Sequence, residues 1–403
     1  MFGIKTYILG EAGKASVWLQ FCAGRAYQAL KQMPPGDKNI LFTLADERPD
    51  EEIPRHYYLM LSFFAQTGYR VYIYRKPTFQ FFKRLGTMGG RHLYSSKNVK
   101  FISALPERTE DIIYAFDHED PDEAMLARKW KRLVYVNSLK PASWKAGREF
   151  VCMPYPMSPF VYRSGASRRL DGFRKSPRRI RALFFGNTKK EYYNNPVLKK
   201  YSQLTRLEAL NALRSSGRKV VDTPARSEFE RLLGGNGYHV ECVLSDYSKF
   251  KIERGEWLAT LSKSDFFLCL SGTDYPMCHN CIETLAVGTI PILSYTDWFD
   301  PPLEHRKNAL VYSGADDFLK KVEEAMGMGE AEIEKLRKNA IQYYEDHLSP
   351  EAFVRRFESH PDANTLILMP RVLCTDPYSD GRSRLERLGA RMASHEKDVT
   401  RER

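Results

Sequence analysis

The run Phe266-Phe-Leu-Cys-Leu-Ser-Gly-Thr-Asp-Tyr-Pro-Met-Cys-His-Asn-Cys-Ile-Glu-Thr-Leu-Ala-Val-Gly-Thr-Ile-Pro-Ile-Leu293 writes out a strand, a loop, a helix and a second strand in succession. Residues 266–270 are apolar and too few for a stable helix, which reads as a fully buried strand of a parallel sheet. Ser271, Gly272 and Thr273 break the run. Helical periodicity then covers 278–287, with Ile282, Leu285 and Ala286 on one face and Gly288 supplying the left-handed turn that ends it. Residues 290–293 form the next strand. In such a unit the loop after the first strand lies at the carboxyl edge of the sheet, where the free N–H groups of the helix start favour an anion such as a phosphate. Glu283 sits about one turn inside the helix, within reach of a ligand hydroxyl without facing phosphates directly.

The first half of the chain also alternates. Strands are expected at 39–44, 70–74, 99–102, 111–116 and 132–136, with an apolar-faced helix at 53–67 between the first two. Strands separated by helices give a parallel sheet. A chain of 403 residues, 43% hydrophobic and 13% aromatic, has core material for two domains of ordinary size. The expected division is an N-terminal α/β domain over 1–160, a basic linker over 161–178, a second α/β domain over 179–360 and a tail over 361–403. A helix at about 350–359 closes the second domain or crosses back to the first.

Residues 282–293, with Asp297 and Pro301-Pro302-Leu303 after them, resemble the exostosin-type glycosyltransferase pattern, in which an Arg-x-x-Glu-Ala-x-x-x-Gly-x-Ile-Pro-Val-Ile run precedes an acidic residue and a Pro-Phe pair. Upstream, Ile180-Arg-Ala-Leu-Phe-Phe-Gly-Asn187 is similar to that family's first C-terminal-domain strand, and residues 262–272 to its approach to the donor site. The resemblance covers about 179–357. It implies two Rossmann-like domains facing a cleft, the GT-B architecture, and a hexosyl- or pentosyltransferase acting in polysaccharide biosynthesis. The donor is a UDP- or GDP-linked sugar, a substrate rather than a cofactor, and the acceptor a glycan or lipid-linked sugar. Donor contacts fall on Gly186, Asn187, Lys189 and Arg206, on Ser271, Gly272 and Thr273, and on His279, Asn280 and Glu283, with Glu283 on the ribose. Asn280 stands where the family often has an arginine, with His279 beside it, so the diphosphate relies more on backbone N–H groups or another cation. A two-glutamate motif spaced seven apart would need an acid at Pro276, which disfavours the retaining class built on that motif and favours, without fixing, an inverting reaction.

The base that deprotonates the acceptor is then expected on a loop at the carboxyl edge of an N-terminal strand. Two loops qualify, one with Asp46 and Glu47 and the other with Asp117 and His118, the latter pair slightly favoured. No metal is expected, because Asp120-Pro121-Asp122 has the Asp-x-Asp spacing only on the wrong domain. Cys278-His-Asn-Cys281 has half the spacing of a zinc site but no matching second pair, so buried thiols are the simpler reading. Seven cysteines, an odd number, do not make a disulfide framework.

The net charge of +12 is concentrated, with eight cations between Arg163 and Arg181 against Asp171 alone. That stretch reads as a solvated linker, or as a surface for anionic lipid headgroups; no nucleic-acid motif accompanies it. No apolar run is long enough to span a bilayer, so a cytoplasmic protein, peripheral to the membrane at most, is expected. Two other readings remain open: a non-catalytic two-domain binder of glycans or nucleotides, and a fucosyltransferase-like enzyme using GDP-fucose, since that family shares the same run of strand, helix, glycine and Val-Pro-Val.

Overall fold

The computed structural model describes residues 2–43, 52–75, 78–82, 90–116, 129–137, 150–193, 204–218, 220–223, 225–273, 276–360 and 364–368. They divide into two compact units, one formed up to Met153 and again from Phe353, the other over Pro154–Ala352. Strands are numbered in chain order.

The sheet of the first unit contains β1 (Asn39–Thr43), β2 (Arg70–Tyr74), β3 (Val99–Ile102), β4 (Ile112–Phe116), β5 (Arg132–Asn137), β6 (Phe150–Cys152) and β13 (Asn364–Leu368). Their order is β3-β2-β1-β4-β5-β13-β6, with every pairing parallel. The apolar runs choose the centre: Ile40, Leu41 and Phe42 are fully buried, and all five residues of β4 are buried. A helix over Glu52–Gln66 covers one side through Phe63 and Phe64. Against them packs the helix Pro350–Glu358, whose Phe353 and Phe357 rings lie 5.7 and 5.0 Å from Phe64. Arg132 stacks on Phe357 at 4.2 Å and donates to its carbonyl.

The edge strand of this sheet is closed by side chains. The first helix, α1 (Phe2–Leu30), lays Gln28 beside β3, where its amide donates to Val99 O at 3.2 Å and accepts from Phe101 N–H at 3.1 Å. Lys31 adds a bond to Ser96 O at 2.8 Å. Polar groups that an open edge would offer to another chain are thereby satisfied.

The second sheet holds β7 (Ile180–Gly186), β8 (Val220–Asp222), β9 (His239–Asp246), β10 (Ser264–Leu268), β11 (Ile290–Leu293) and β12 (Leu310–Val311). The order is β12-β11-β10-β7-β9-β8, again all parallel. Its second strand lies at the edge and its third beside the first, an exchange relative to the commonest doubly wound order. Phe184, Leu244, Phe266, Leu268 and Phe318 are at the centre of its core. Two Rossmann-like α/β units, as the sequence leads one to expect, are thus present.

Two segments differ from their sequence reading. Asn364–Leu368, assigned to a tail, is a strand hydrogen-bonded between β5 and β6. Residues 161–178, assigned to a linker, contain the helix Leu170–Arg174 and the end of the helix Pro159–Arg163, and two of the six cations there, Arg174 and Arg178, are drawn inward. Among the described residues no helix is long and apolar enough to cross a membrane.

Candidate functional site

In each sheet the strand order reverses at one place, between β1 and β4 in the first and between β7 and β10 in the second. Loops leaving such a pair diverge at their carboxyl ends and open a crevice for ligand. In the first unit Thr43 and Phe116 are register partners, so the loops that follow them start side by side. Asp46, Glu47, Asp117 and His118 belong to those loops and lie outside the described residues.

The second unit is described almost throughout. Leu183 pairs with Phe267, which brings Gly186-Asn187-Thr188-Lys189 next to the segment 269–273 at the carboxyl edge. Asn187 folds its own loop, its side chain accepting from Lys189 N–H at 3.0 Å. Gly186 is the residue that lets this loop close: a Cβ there would meet Phe184 at 3.0 Å and the Arg206 guanidinium at 3.4 Å. On the other flank Gly186 pairs with Asp246, which accepts from the Thr188 hydroxyl and, at 2.8 Å, from Ser248 N–H. Burial opposes ionisation of Asp246, but these hydrogen bonds outweigh it and hold the carboxyl below its usual range.

Arg206 opens the helix α2 (Arg206–Ser215). Thr205 and Glu208 form a reciprocal capping box at its start, with bonds of 3.2 and 2.8 Å. That cap fixes where Arg206 points. Its guanidinium is buried, donates to Asn187 O at 2.9 Å and lies 3.8 Å over the Tyr193 ring, and its Nε has no partner among the described residues. Ser271, 1% exposed, likewise has a hydroxyl without a partner there. Buried polar atoms left unpaired in a polar crevice are what a bound ligand would satisfy.

The helix α3 (His279–Ala286) points its start at the same edge. Its N-cap residue is Cys278, and no side chain caps the first turn. Burial pushes the Cys278 thiol up to about 11, against the opposing pull of the Arg206 charge. Cys269 and Cys281 are fully buried, and burial raises the Cys269 thiol further. The Cys278 and Cys269 thiols are protonated at neutral pH. No group of three His, Cys, Asp or Glu among the described residues is placed to hold a metal ion.

Glu283 is fully buried inside α3. Its two oxygens accept from Ser158 N–H at 2.9 Å and from the Trp257 indole at 2.6 Å. The ribose contact expected from the sequence would have to share this carboxylate with two protein donors. His279 and Asn280, at the first turn, are half-buried, as are Gly272 and Thr273 in the loop, where Gly272 N–H closes a turn onto Pro276 O at 3.0 Å.

The far end of α3 is held by the basic segment. Arg174 donates to Ala286 O at 2.9 Å, and Arg178 donates to the carbonyls of Val287 and Gly288 at 3.1 and 3.2 Å. Arg178 also binds Ser262 O at 2.6 Å, Ser264 O at 3.0 Å and the Thr289 hydroxyl at 3.0 Å. Burial, and then Arg337, push its guanidinium down to about 9, still cationic at neutral pH. Cations at a helix C-terminus oppose its partial negative charge and satisfy its last carbonyls. Gly288 turns there with φ of 72°, and a Cβ would come within 2.8 Å of Ile341. Asp246, Trp257, Arg174 and Arg178 were not singled out in the sequence as site-building residues; only Asp246 had a local signal, an acid ending the apolar run of β9.

No family model matches the chain, and no curated protein matches it at a significant level. Solved structures similar to it include a glycosyltransferase from Rickettsia africae, 8% identical, with 81% of this chain and 98% of that one covered at a TM-score of 0.43. The N-terminal domain of trehalose-6-phosphate phosphatase from Candida albicans is 10% identical, covering 82% and 98% at 0.42. An α-glucosyltransferase in complex with UDP and DNA is 13% identical, covering 81% and 99% at 0.41. Likenesses this distant carry no statement of substrate or reaction.

Proposed function

We propose that this protein is a glycosyltransferase that takes a sugar from a UDP- or GDP-linked donor and passes it to a glycan or lipid-linked acceptor. The observation that carries the reading is the carboxyl edge of the adjacent strands β7 and β10, where the buried Arg206 guanidinium bonds the loop after β7 and the Ser271 hydroxyl and the uncapped start of α3 follow β10. A cation, a hydroxyl and helix N–H groups suit a diphosphate. The exostosin-like run 282–293, which forms α3 and β11, agrees with a nucleotide sugar.

In the proposed reaction an acceptor hydroxyl oxygen attacks the anomeric carbon of the donor sugar as the bond to the diphosphate oxygen breaks. The proton passes to a general base, with Asp117, His118, Asp46 and Glu47 as candidates. The departing diphosphate carries the negative charge, which Arg206, Lys189 of the loop after β7 and the α3 N–H groups offset without a metal. Inversion follows from a single displacement. His279, Asn280, Gly272 and Thr273 complete the donor side, and Glu283 joins it at the ribose by sharing a carboxylate that already accepts from two protein donors.

The test is calorimetry with UDP and GDP on the wild type and on Arg206→Gln, with donor hydrolysis assayed alongside. Binding of one nucleoside diphosphate, weakened about tenfold or more in Arg206→Gln, is expected from the loss of a charge-assisted contact worth about 1.5 to 3 kcal/mol. Absence of binding by both nucleotides would overturn the reading. Activity lost with EDTA and restored by manganese would overturn the metal-free route.

A further inference from the structure

Helix α1 is unusual in what it hides. Between residues 16 and 31 its buried positions are Phe21, Gln28 and Lys31, two of them polar and bonded to the sheet edge. The opposite face is apolar and open: Leu19 is 68% and Leu30 85% exposed, and Ala23 and Ala26 between them are exposed as well. Leu19, Ala23, Ala26 and Leu30 recur in alternating steps of four and three, the seam of a helix pair. The flanking positions, Gln20, Cys22, Tyr27 and Ala29, carry no charge, and Arg25 lies off the seam.

We propose that this face is a self-association surface, and that two copies of the chain pair through α1 in antiparallel fashion about a two-fold axis passing between Gly24 and Arg25. The order Leu-Ala-Ala-Leu reads the same in both directions. An antiparallel pair therefore sets Leu19 against Leu30 of the partner subunit and Ala23 against Ala26 of the partner subunit. Small residues at the centre let the two backbones approach closely, and the leucines close each end. A lipid surface imposes neither the four-three spacing nor the small central residues. With Tyr27, 41% exposed, the face offers on the order of 500 Å², against about 800 Å² given up by each partner in a standard interface and about 400 Å² as the usual ceiling for a free surface patch.

The measurement is the molar mass of the full chain by sedimentation velocity and light scattering at micromolar concentration, repeated for two double variants at exposed positions, with circular dichroism to confirm folding. The wild type is expected to be a dimer and Leu19→Glu with Leu30→Glu a monomer, because each glutamate then faces another. Leu19→Glu with Leu30→Lys is expected to recover the dimer, since opposite charges meet only in the antiparallel register. A monomeric wild type overturns the proposal, including the case where it instead pellets with vesicles of phosphatidylglycerol. A dimer that survives the two glutamates places the contact elsewhere, and failure of the Glu/Lys variant to re-form it overturns the antiparallel register.

Discussion

Glu283 shows how a residue chosen for ligand chemistry also serves the fold. Its carboxylate joins Ser158 and Trp257 to α3, and removing it takes the acceptor from two half-buried donors, each at about 1 to 3 kcal/mol where water does not replace it. Glu283→Ala is therefore expected to lose about 2 to 4 kcal/mol in urea denaturation. Nucleotide binding by the same variant, measured where it is still folded, separates the two roles: a further tenfold loss keeps the ribose contact, and unchanged affinity removes it. The identity of Glu283 as a special residue was readable from its place one turn into an amphipathic run. Its partners were not, because they lie 26 and 125 residues away in sequence and nothing local to Trp257 or Ser158 marks them. Arg206 was named only through the family resemblance, although the capping box of Thr205 and Glu208 around it is a local signal of where the helix begins.

At the scale of elements, a continuous apolar run such as β4 identifies itself, since a strand buried on both faces tolerates few polar residues, whereas the run 266–270 marks β10 two residues late because the strand begins at the buried Ser264 and Asp265. The basic stretch before β7 did not identify itself. Composition suggests solvated charge, yet Arg178 gives its guanidinium to four carbonyls and a hydroxyl around the end of α3, while Arg168 is exposed. Charge counted along a chain does not reveal which way a side chain turns. Arg178→Ala is expected to destabilise the second unit by about 3 to 4 kcal/mol through the carbonyls it abandons, whereas Arg168→Ala should stay within about 0.5 kcal/mol. Equal and small effects of the two substitutions in urea unfolding would show that the clamp on α3 is dispensable.

For the whole molecule, the informative feature is that the first sheet takes a strand from the far end of the chain. Asn364–Leu368 pairs with β5 on one side and β6 on the other, and the short run Thr-Leu-Ile-Leu could not announce that location, which topology alone decides. A chain ending at His360 is expected to lose the cooperative unfolding of the first unit, seen as a missing transition in circular dichroism. Limited proteolysis should then leave a resistant fragment close to Pro154–Ala352. Two intact transitions in the shortened chain would mean that the strand is an accessory. On the ribosome the same feature sets an order of events. The second unit is translated whole before residue 364 emerges, at rates of about 5 to 20 residues per second, so β5 waits on the order of 10 to 45 s for its neighbour while the later half of the chain has already had the chance to fold. The N-terminal half of this protein is born first and finished last.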